Sequence, residues 1–133
     1  MKRSELVTLV RRFRLGVVAS VSADGSPQAA TVGLAISDDL EIVFDTDNGT
    51  RKLANITREP RVAVVVGADE VTVQIEGVAD VVADDRLREV YFAAWPDGRE
   101  RAKSPTITHV RIRPTWVRVS DYSNGPVIEE VQL

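Results

Sequence analysis

The sequence contains no cysteine and only one histidine, His109, among its 133 residues. The absence of cysteine excludes disulfides, thiol nucleophiles and cysteine metal ligands. One histidine is too few for a zinc site built from several histidines. No nucleophile elbow of the G-x-S-x-G type is present to pair a serine with that histidine. We therefore expect neither a metal site nor a serine hydrolase.

Long apolar runs and an excess of positive charge are also missing. No stretch of about 18 apolar residues occurs, so we expect no transmembrane helix. The first residues carry charges and lead into amphipathic sequence, unlike a signal peptide, and we expect a cytoplasmic protein. A net charge of −3 argues against nucleic acid as a partner. The content of 44% hydrophobic and 28% charged residues predicts one globular domain spanning residues 1–133.

Periodicity predicts a mainly β protein with peripheral helices. Valine-rich or alternating segments bounded by turn residues predict strands at 17–21, 28–36, 40–44, 61–67, 70–82, 107–113 and 116–121. Asp24-Gly25 is a hairpin signal, Gly77 suggests a bulge, and Pro114 separates the last two strands. A further short apolar alternation occupies 127–131. Short connections between six or seven strands favour an antiparallel barrel, closed or nearly closed.

Three helices are predicted at the margins of this barrel. Ser4 can cap the first, which Gly16 ends. The second spans 51–58 before a proline, and the third spans about 84–95. The charged segment 99–105 is predicted to be an exposed loop, with a lid over a pocket as the alternative.

His109 lies on a predicted strand and would share one side of it with Arg111 and Arg113. Alternation therefore favours a histidine on the polar face over a catalytic base. Trp95 ends the third helix, and we expect it to serve in packing, with a contact to a ligand as the alternative.

The segment most informative for chemistry is the loop that leads into the second helix. That helix opens with Thr50, Arg51 and Lys52. A helix N-terminus offers unpaired N–H groups and a partial positive charge, which favours an anion. Arginine can grip phosphate oxygens in a bidentate way, and lysine adds a point charge. Taken alone, the same residues also fit a capped surface helix with two solvated cations.

The order of short motifs along the chain resembles the pyridoxamine 5′-phosphate oxidase-like family of FMN-binding split barrels. The matching segments are GVVASV at 16–21, DGSPQ at 24–28, FDT at 44–46, TRK at 50–52, NI at 55–56, EPRVA at 59–63, IEG at 75–77 and WVRVSD at 116–121. The resemblance implies a six- to seven-stranded antiparallel split β-barrel with flanking helices. It covers nearly the whole chain.

The resemblance also implies a cofactor and a partner. The cofactor is FMN, its phosphate held by Thr50, Arg51 and Lys52. The flavin ring lies along Ala30, Thr31 and Val32, largely against their backbone groups, and Asp45 and Thr46 touch the cofactor. The site lies at the interface of a homodimer. The implied activity is that of an FMN-dependent oxidoreductase acting on a small molecule, with a nicotinamide as a possible reductant.

The chain departs from the best-known enzyme of that family at two positions. Where that enzyme has a flavin-contacting glutamine, the sequence has Thr72, and Gln74 is the nearby candidate for a flavin contact. In the substrate-binding motif Arg118 is kept but the histidine is lost, which leaves Arg118 as a substrate-side candidate. A general FMN-binding member is therefore expected. The alternatives are a flavin-binding stress or storage protein, a deazaflavin-dependent relative, and a dimeric barrel without cofactor.

Overall fold

The computed structural model describes residues 1–133 as four helices and eight strands. The elements are α1 (Arg3–Arg11), β1 (Leu15–Val21), β2 (Pro27–Gly33), β3 (Ala35–Ile36), β4 (Ile42–Asp47), α2 (Arg51–Arg58), β5 (Arg61–Ala68), β6 (Val71–Val81), α3 (Asp85–Ala94), α4 (Asp97–Arg101), β7 (Ile107–Asp121) and β8 (Val127–Glu130). None of the helices has the length and apolar character needed to span a membrane.

The strands form one curled antiparallel sheet. Its order is β2-β1-β5-β6-β7-β4-β3, and β8 pairs with β7. The curl brings β2, an edge strand, into contact with β4 near the opposite edge. A sheet that curls this far without closing is a split barrel, so the fold class predicted from the sequence is confirmed.

Alternation of side chains decides which face of the sheet is buried. In β5, Val62, Val64 and Val66 point inward and are buried, whereas Ala63 and Val65 point outward and are exposed. Each fully buried valine contributes about 1.5–3 kcal/mol to the hydrophobic stabilisation of the barrel. The same period of two directs part of β1 and β2 into the barrel, where the candidate site lies.

Pro114 does not interrupt the last long strand, contrary to the sequence prediction. The strand β7 runs without a break from Ile107 to Asp121, and Pro114 pairs with Gly77 where the register of β6 shifts. The residue left without a partner is Thr115, next to Pro114, and the ladder disrupted there tolerates a residue that has no N–H group. The predicted bulge at Gly77 is thereby confirmed.

Two further segments differ from prediction. The strand predicted at 28–36 divides after Gly33 into β2 and β3, and Leu40 adopts a positive φ of 65° in the turn that precedes β4. The segment predicted as a charged loop begins with the helix α4. Arg101 stabilises α4 through an i, i+4 ion pair with Asp97.

His109 is buried, so the prediction that it lies on the polar face of its strand was wrong. Its residual exposure is 5%, and its ring centroid lies 5.5 Å from those of both Tyr91 and Phe92, in edge-on geometry. The physical reason is that α3 covers β3 and β4 from outside the barrel. Tyr91 and Phe92 belong to a second, smaller apolar cluster with Ala35, Val43, Val82 and Leu87.

Candidate functional site

A cleft of about 180 Å³ lies between the inner face of the β1–β2 hairpin and the start of α2. Its lining residues come from three elements: Val18 and Ser20 of β1, Gln28, Ala29 and Ala30 of β2, and Thr50, Arg51 and Lys52 at the start of α2. The register of the hairpin sets Ser20 opposite Gln28 and Val18 opposite Ala30. The three residues predicted to hold a phosphate therefore lie together at a concave surface.

The first turn of α2 has its backbone donors free. Thr50 occupies the N-cap position, but its side chain does not cap the helix. Its hydroxyl donates instead to the carbonyl of Asp47 at 3.0 Å and lies 2.9 Å from the hydroxyl of Thr46. The first N–H groups of a helix have no intrahelical partner and carry a partial positive charge. The opening of α2 can therefore donate several hydrogen bonds to one anion.

Arg51 and Lys52 take part in none of the ion pairs of the chain. The nearby acidic side chains have other partners. The Asp47 carboxylate accepts from the N–H of Gly49 at 3.1 Å and from the hydroxyl of Thr106 at 3.0 Å. The two cations at the cleft are thus not neutralised by a carboxylate.

A chain of polar side chains continues from Arg51 into the barrel. With the Gln28 amide assigned so that its oxygen faces Arg51, that oxygen lies over the guanidinium, 2.8 Å from Nε and 3.1 Å from Nη1, and also contacts Nη2. The nitrogen of this amide then faces the side-chain amide of Asn55, which lies 3.1 Å from Oγ of Ser20. Ser20 and Asn55 are buried, with 3% and 5% of their surface exposed.

Sequence reasoning did not identify Ser20, Gln28 and Asn55 as site residues. One signal was available, because Asn55 stands four residues after Arg51 and so lies on the same side of the helix. An asparagine inside a short helix is also a weak helix former, which suggests another role for its amide.

The structure brings together only part of the predicted cofactor-binding set. Ala30 lines the cleft, and Thr46 contacts Thr50 beside it. Thr31 points outward on β2, whereas Val32 is buried in the core. Because β2 is an edge strand, one row of its backbone N–H and C=O groups has no partner in the sheet. That row lies next to the cleft.

The side chain of Asp45 lies outside this cleft. Its Oδ2 accepts from Nε of Arg101 at 3.0 Å, and Arg101 also donates to the hydroxyl of Tyr91 at 3.0 Å. Burial, followed by the charge of Asp45, raises the pKa of Tyr91 to about 12. Burial also lowers the pKa of His109. This cluster therefore ties α3 and α4 to the barrel, and the Tyr91 hydroxyl stays protonated near neutral pH.

Gln74 and Arg118 lie together on the outer face of the sheet. They are directly paired across β6 and β7, and Arg118 bonds Glu130 at 3.1 Å while lying 5.1 Å from the ring centre of Trp116. Gln74 is exposed because its neighbours Val73 and Ile75 point inward. Within one chain neither side chain reaches the cleft.

A protein-family model described as pyridoxamine 5′-phosphate oxidase matches residues 3–121. The chain belongs to this family. The match includes every residue that lines the cleft, so the predicted family is confirmed.

Known members of the pyridoxamine 5′-phosphate oxidase family match the chain over part of their length. A pyridoxine/pyridoxamine 5′-phosphate oxidase of Rubrobacter xylanophilus is 37% identical over 86 residues, which are 63% of this chain and 39% of the relative. The chain thus aligns with well under half of that curated relative.

Solved structures agree on the fold. A heme binding protein of Mycobacterium smegmatis superimposes with a TM-score of 0.83 at 18% identity, covering 96% of this chain and 56% of that one. General Stress Protein 26 of Bacillus anthracis gives a TM-score of 0.76 at 24% identity, with coverage of 97% and 98%. At these identities the likeness establishes the split barrel alone.

Proposed function

We propose that the chain binds FMN with its phosphate in the cleft at the start of α2, and that it acts as an oxidoreductase on a small molecule. The observation that carries the proposal is the pair Arg51 and Lys52, two cations without carboxylate partners beside the free N–H groups of a helix. Membership of the pyridoxamine 5′-phosphate oxidase family supports a flavin as the molecule that carries the bound phosphate.

The residues of the cleft fit a phosphate dianion. Arg51 supplies planar charge-assisted donors, Lys52 a mobile point charge, and the first turn of α2 its backbone N–H groups. The hydroxyl of Thr50 can turn to donate in the same direction. In such proteins the bound flavin supplies the redox chemistry, and the protein binds, orients and tunes it.

The free edge of β2 supports a location for the ring system. The unpaired backbone groups near Ala30 and Thr31 can bond the polar edge of an isoalloxazine, which carries both donors and acceptors. The proposed substrate is a nicotinamide or another small molecule that can stack on the exposed face of the flavin. A cytoplasmic location is part of the proposal.

We include a homodimer in the proposal because the sheet presents an apolar outer face. Val21, Val65 and Val78 remain 36%, 40% and 41% exposed there. Ala19 and Ala63 lie between them, which makes the surface flat enough for close approach. Exposed apolar side chains clustered on one face, here beside Arg61 and Glu76, favour an association site. β1 contributes to this face and to the cleft, so a second copy seated here would lie beside the cofactor.

Two alternative functions would use the same cleft. A flavin-binding protein without turnover, as the resemblance to a stress protein suggests, needs the same phosphate contacts. A deazaflavin also carries a phosphate and would use them too. Bleaching of the flavin absorption band by a reduced nicotinamide would distinguish an enzyme from a flavin-binding protein without turnover. Uptake of deazaflavin in preference to FMN would identify a deazaflavin-dependent protein.

Heme is a separate candidate because one structural neighbour is a heme binding protein. Histidine is a common axial ligand of heme iron. The single histidine of this chain, His109, lies under the rings of Tyr91 and Phe92 with 5% exposure. Its burial counts against a histidine-ligated heme, and a heme titration that gives no shifted Soret band is the expected result.

The deciding experiment compares FMN with riboflavin, which differs by the phosphate alone. We expect the purified chain to bind FMN at least about a hundredfold more tightly, measured by quenching of flavin fluorescence, since several charge-assisted bonds depend on the phosphate. Equal affinities for the two compounds would show that the cleft is not a phosphate site. Absence of binding to either would remove the flavin from the proposal.

A further inference from the structure

The environment of Arg51 differs from that of most arginines in this chain. Arg101, Arg111 and Arg118 each face at least one carboxylate. Arg51 instead faces the side-chain amide of Gln28. With this amide assigned so that its oxygen faces the guanidinium, the oxygen lies over the guanidinium, 2.8 Å from Nε and 3.1 Å from Nη1, and also contacts Nη2. A neutral partner restricts the guanidinium without cancelling its charge.

The amide of Gln28 is itself held in place from inside the barrel. In this orientation its nitrogen faces the side-chain amide of Asn55, which accepts from it through Oδ1 once the Asn55 amide is assigned in the same sense. The same Asn55 side chain lies 3.1 Å from Oγ of Ser20, whose hydroxyl can donate to it. Asn55 and Ser20 are at least 95% buried and cannot exchange their partners for water. The order Ser20–Asn55–Gln28–Arg51 therefore runs from a rigid interior to a charged group at the cleft.

Asn55 and Arg51 are one turn apart on α2, so the same helix supplies two members of this chain. Gln28 reaches the pair from the neighbouring edge strand β2. Buried amide networks of this kind fix one orientation for each member. An arginine held before its ligand arrives loses less conformational freedom on binding, which increases affinity.

We propose that Asn55 and Gln28 are positioning residues that hold Arg51 in a phosphate-binding orientation while leaving its charge available. This inference rests on the proposed function, because it concerns how the same cleft recognises the phosphate monoester. It assigns a role to two residues that do not carry charge. The neutral character of Gln28 is essential to the role.

Four variants test the proposal, each titrated with FMN and with riboflavin: Asn55→Ala, Gln28→Leu, Gln28→Glu and Arg51→Ala. Loss of positioning in the first two should weaken FMN binding about three- to tenfold. Gln28→Glu should weaken it more than about tenfold, since a carboxylate would pair with Arg51 and repel the phosphate. Riboflavin affinity should stay within about twofold in all four, because it has no phosphate to recognise.

A double variant separates positioning from a structural role. If Asn55 acts through Arg51, Asn55→Ala should cause no further loss of FMN affinity in the Arg51→Ala background. Gln28→Leu on the edge strand gives the same test if Asn55→Ala does not fold. Equal weakening of FMN and riboflavin, or additive losses in the double variant, would overturn the inference. Failure of the proposed function is distinct from this, since it appears as a wild type that does not prefer FMN over riboflavin.

Discussion

Nε of Arg101 lies 3.0 Å from Oδ2 of Asp45, which links α4 to the end of β4. Hydrogen bonds to Asp45 and Asp97 raise the pKa of Arg101 although burial opposes this. The ion pair explains why a segment that is charged and rich in turn residues forms a helix on the barrel. It also shows that Asp45, which the family resemblance implied as a cofactor contact, has a structural partner.

Replacing Arg101 by alanine should destabilise the fold. Asp45 is only 15% exposed and would lose its charged partner, while the arginine itself is 37% exposed, so water screens part of the loss. We expect a decrease of about 1–2 kcal/mol in the free energy of unfolding, measured by urea denaturation. Lys103→Ala removes an exposed pair with Glu100 and should change it by less than about 1 kcal/mol. Equal effects of the two variants would contradict the role of the Asp45 pair.

Burial of His109 predicts a pH-dependent stability. Burial lowers the pKa of His109, and the charges of Arg88 and Arg101 act in the same direction, whereas Asp45 opposes them. The unfolded chain therefore binds a proton that the folded chain does not, so stability falls as the pH drops below about 6.5. Tyr91, the other titratable group in contact, stays neutral in this range because its pKa is about 12.

The matched variant for this prediction is His109→Leu, which keeps an apolar side chain beneath α3. Between pH 7 and pH 5 the wild type should lose stability by up to about 1.4 kcal/mol per pH unit from this group. The variant should lack that slope. Parallel unfolding curves of the two proteins across this range would show that His109 does not titrate as proposed.

The two cations of the cleft should act on FMN binding and leave folding unchanged. Arg51→Ala and Lys52→Ala each remove a charge-assisted contact worth about 1.5–3 kcal/mol, or one to two orders of magnitude in Kd. Arg3→Ala removes an exposed cation of α1 and serves as the control for net charge. The proposed phosphate site is wrong if the control weakens FMN binding as much as the cleft variants do.

Gly77 should not accept a side chain. A Cβ atom there would lie 2.7 Å from the carbonyl oxygen of Arg113 and 2.8 Å from Cγ2 of Ile112. Gly77→Ala should therefore destabilise the barrel by about 1–3 kcal/mol, seen as a lower Tm in circular dichroism. At Gly49 the nearest atom is 3.7 Å away, and Gly49→Ala should leave the Tm nearly unchanged. If the two variants had similar Tm values, the bulge would have to shift to make room for the Cβ atom, and the prediction would be wrong.

Local patterns in the sequence determined most of the β-structure. Alternating valines predicted the strands that became β5 and β6, and the sequence TRK predicted the first turn of α2 and its cations. Such features depend on neighbours within a few residues, which periodicity and turn chemistry report directly. Pro114 misled this reasoning because its effect depended on how β7 pairs with Gly77 of the neighbouring strand.

The tertiary structure alone decided which side chains meet. Gln28 and Arg51 are 23 residues apart in the sequence. They meet only because of the register of the β1–β2 hairpin and the position in which α2 packs against it. Gln74 and Arg118 face away from the cleft because each lies on the outer side of its strand. Which side of a strand is the outer one is decided only when the sheet curls into a barrel. His109 became a core residue because α3 packs over it. Long-range pairing sets these outcomes, and no local pattern in the chain carries that information.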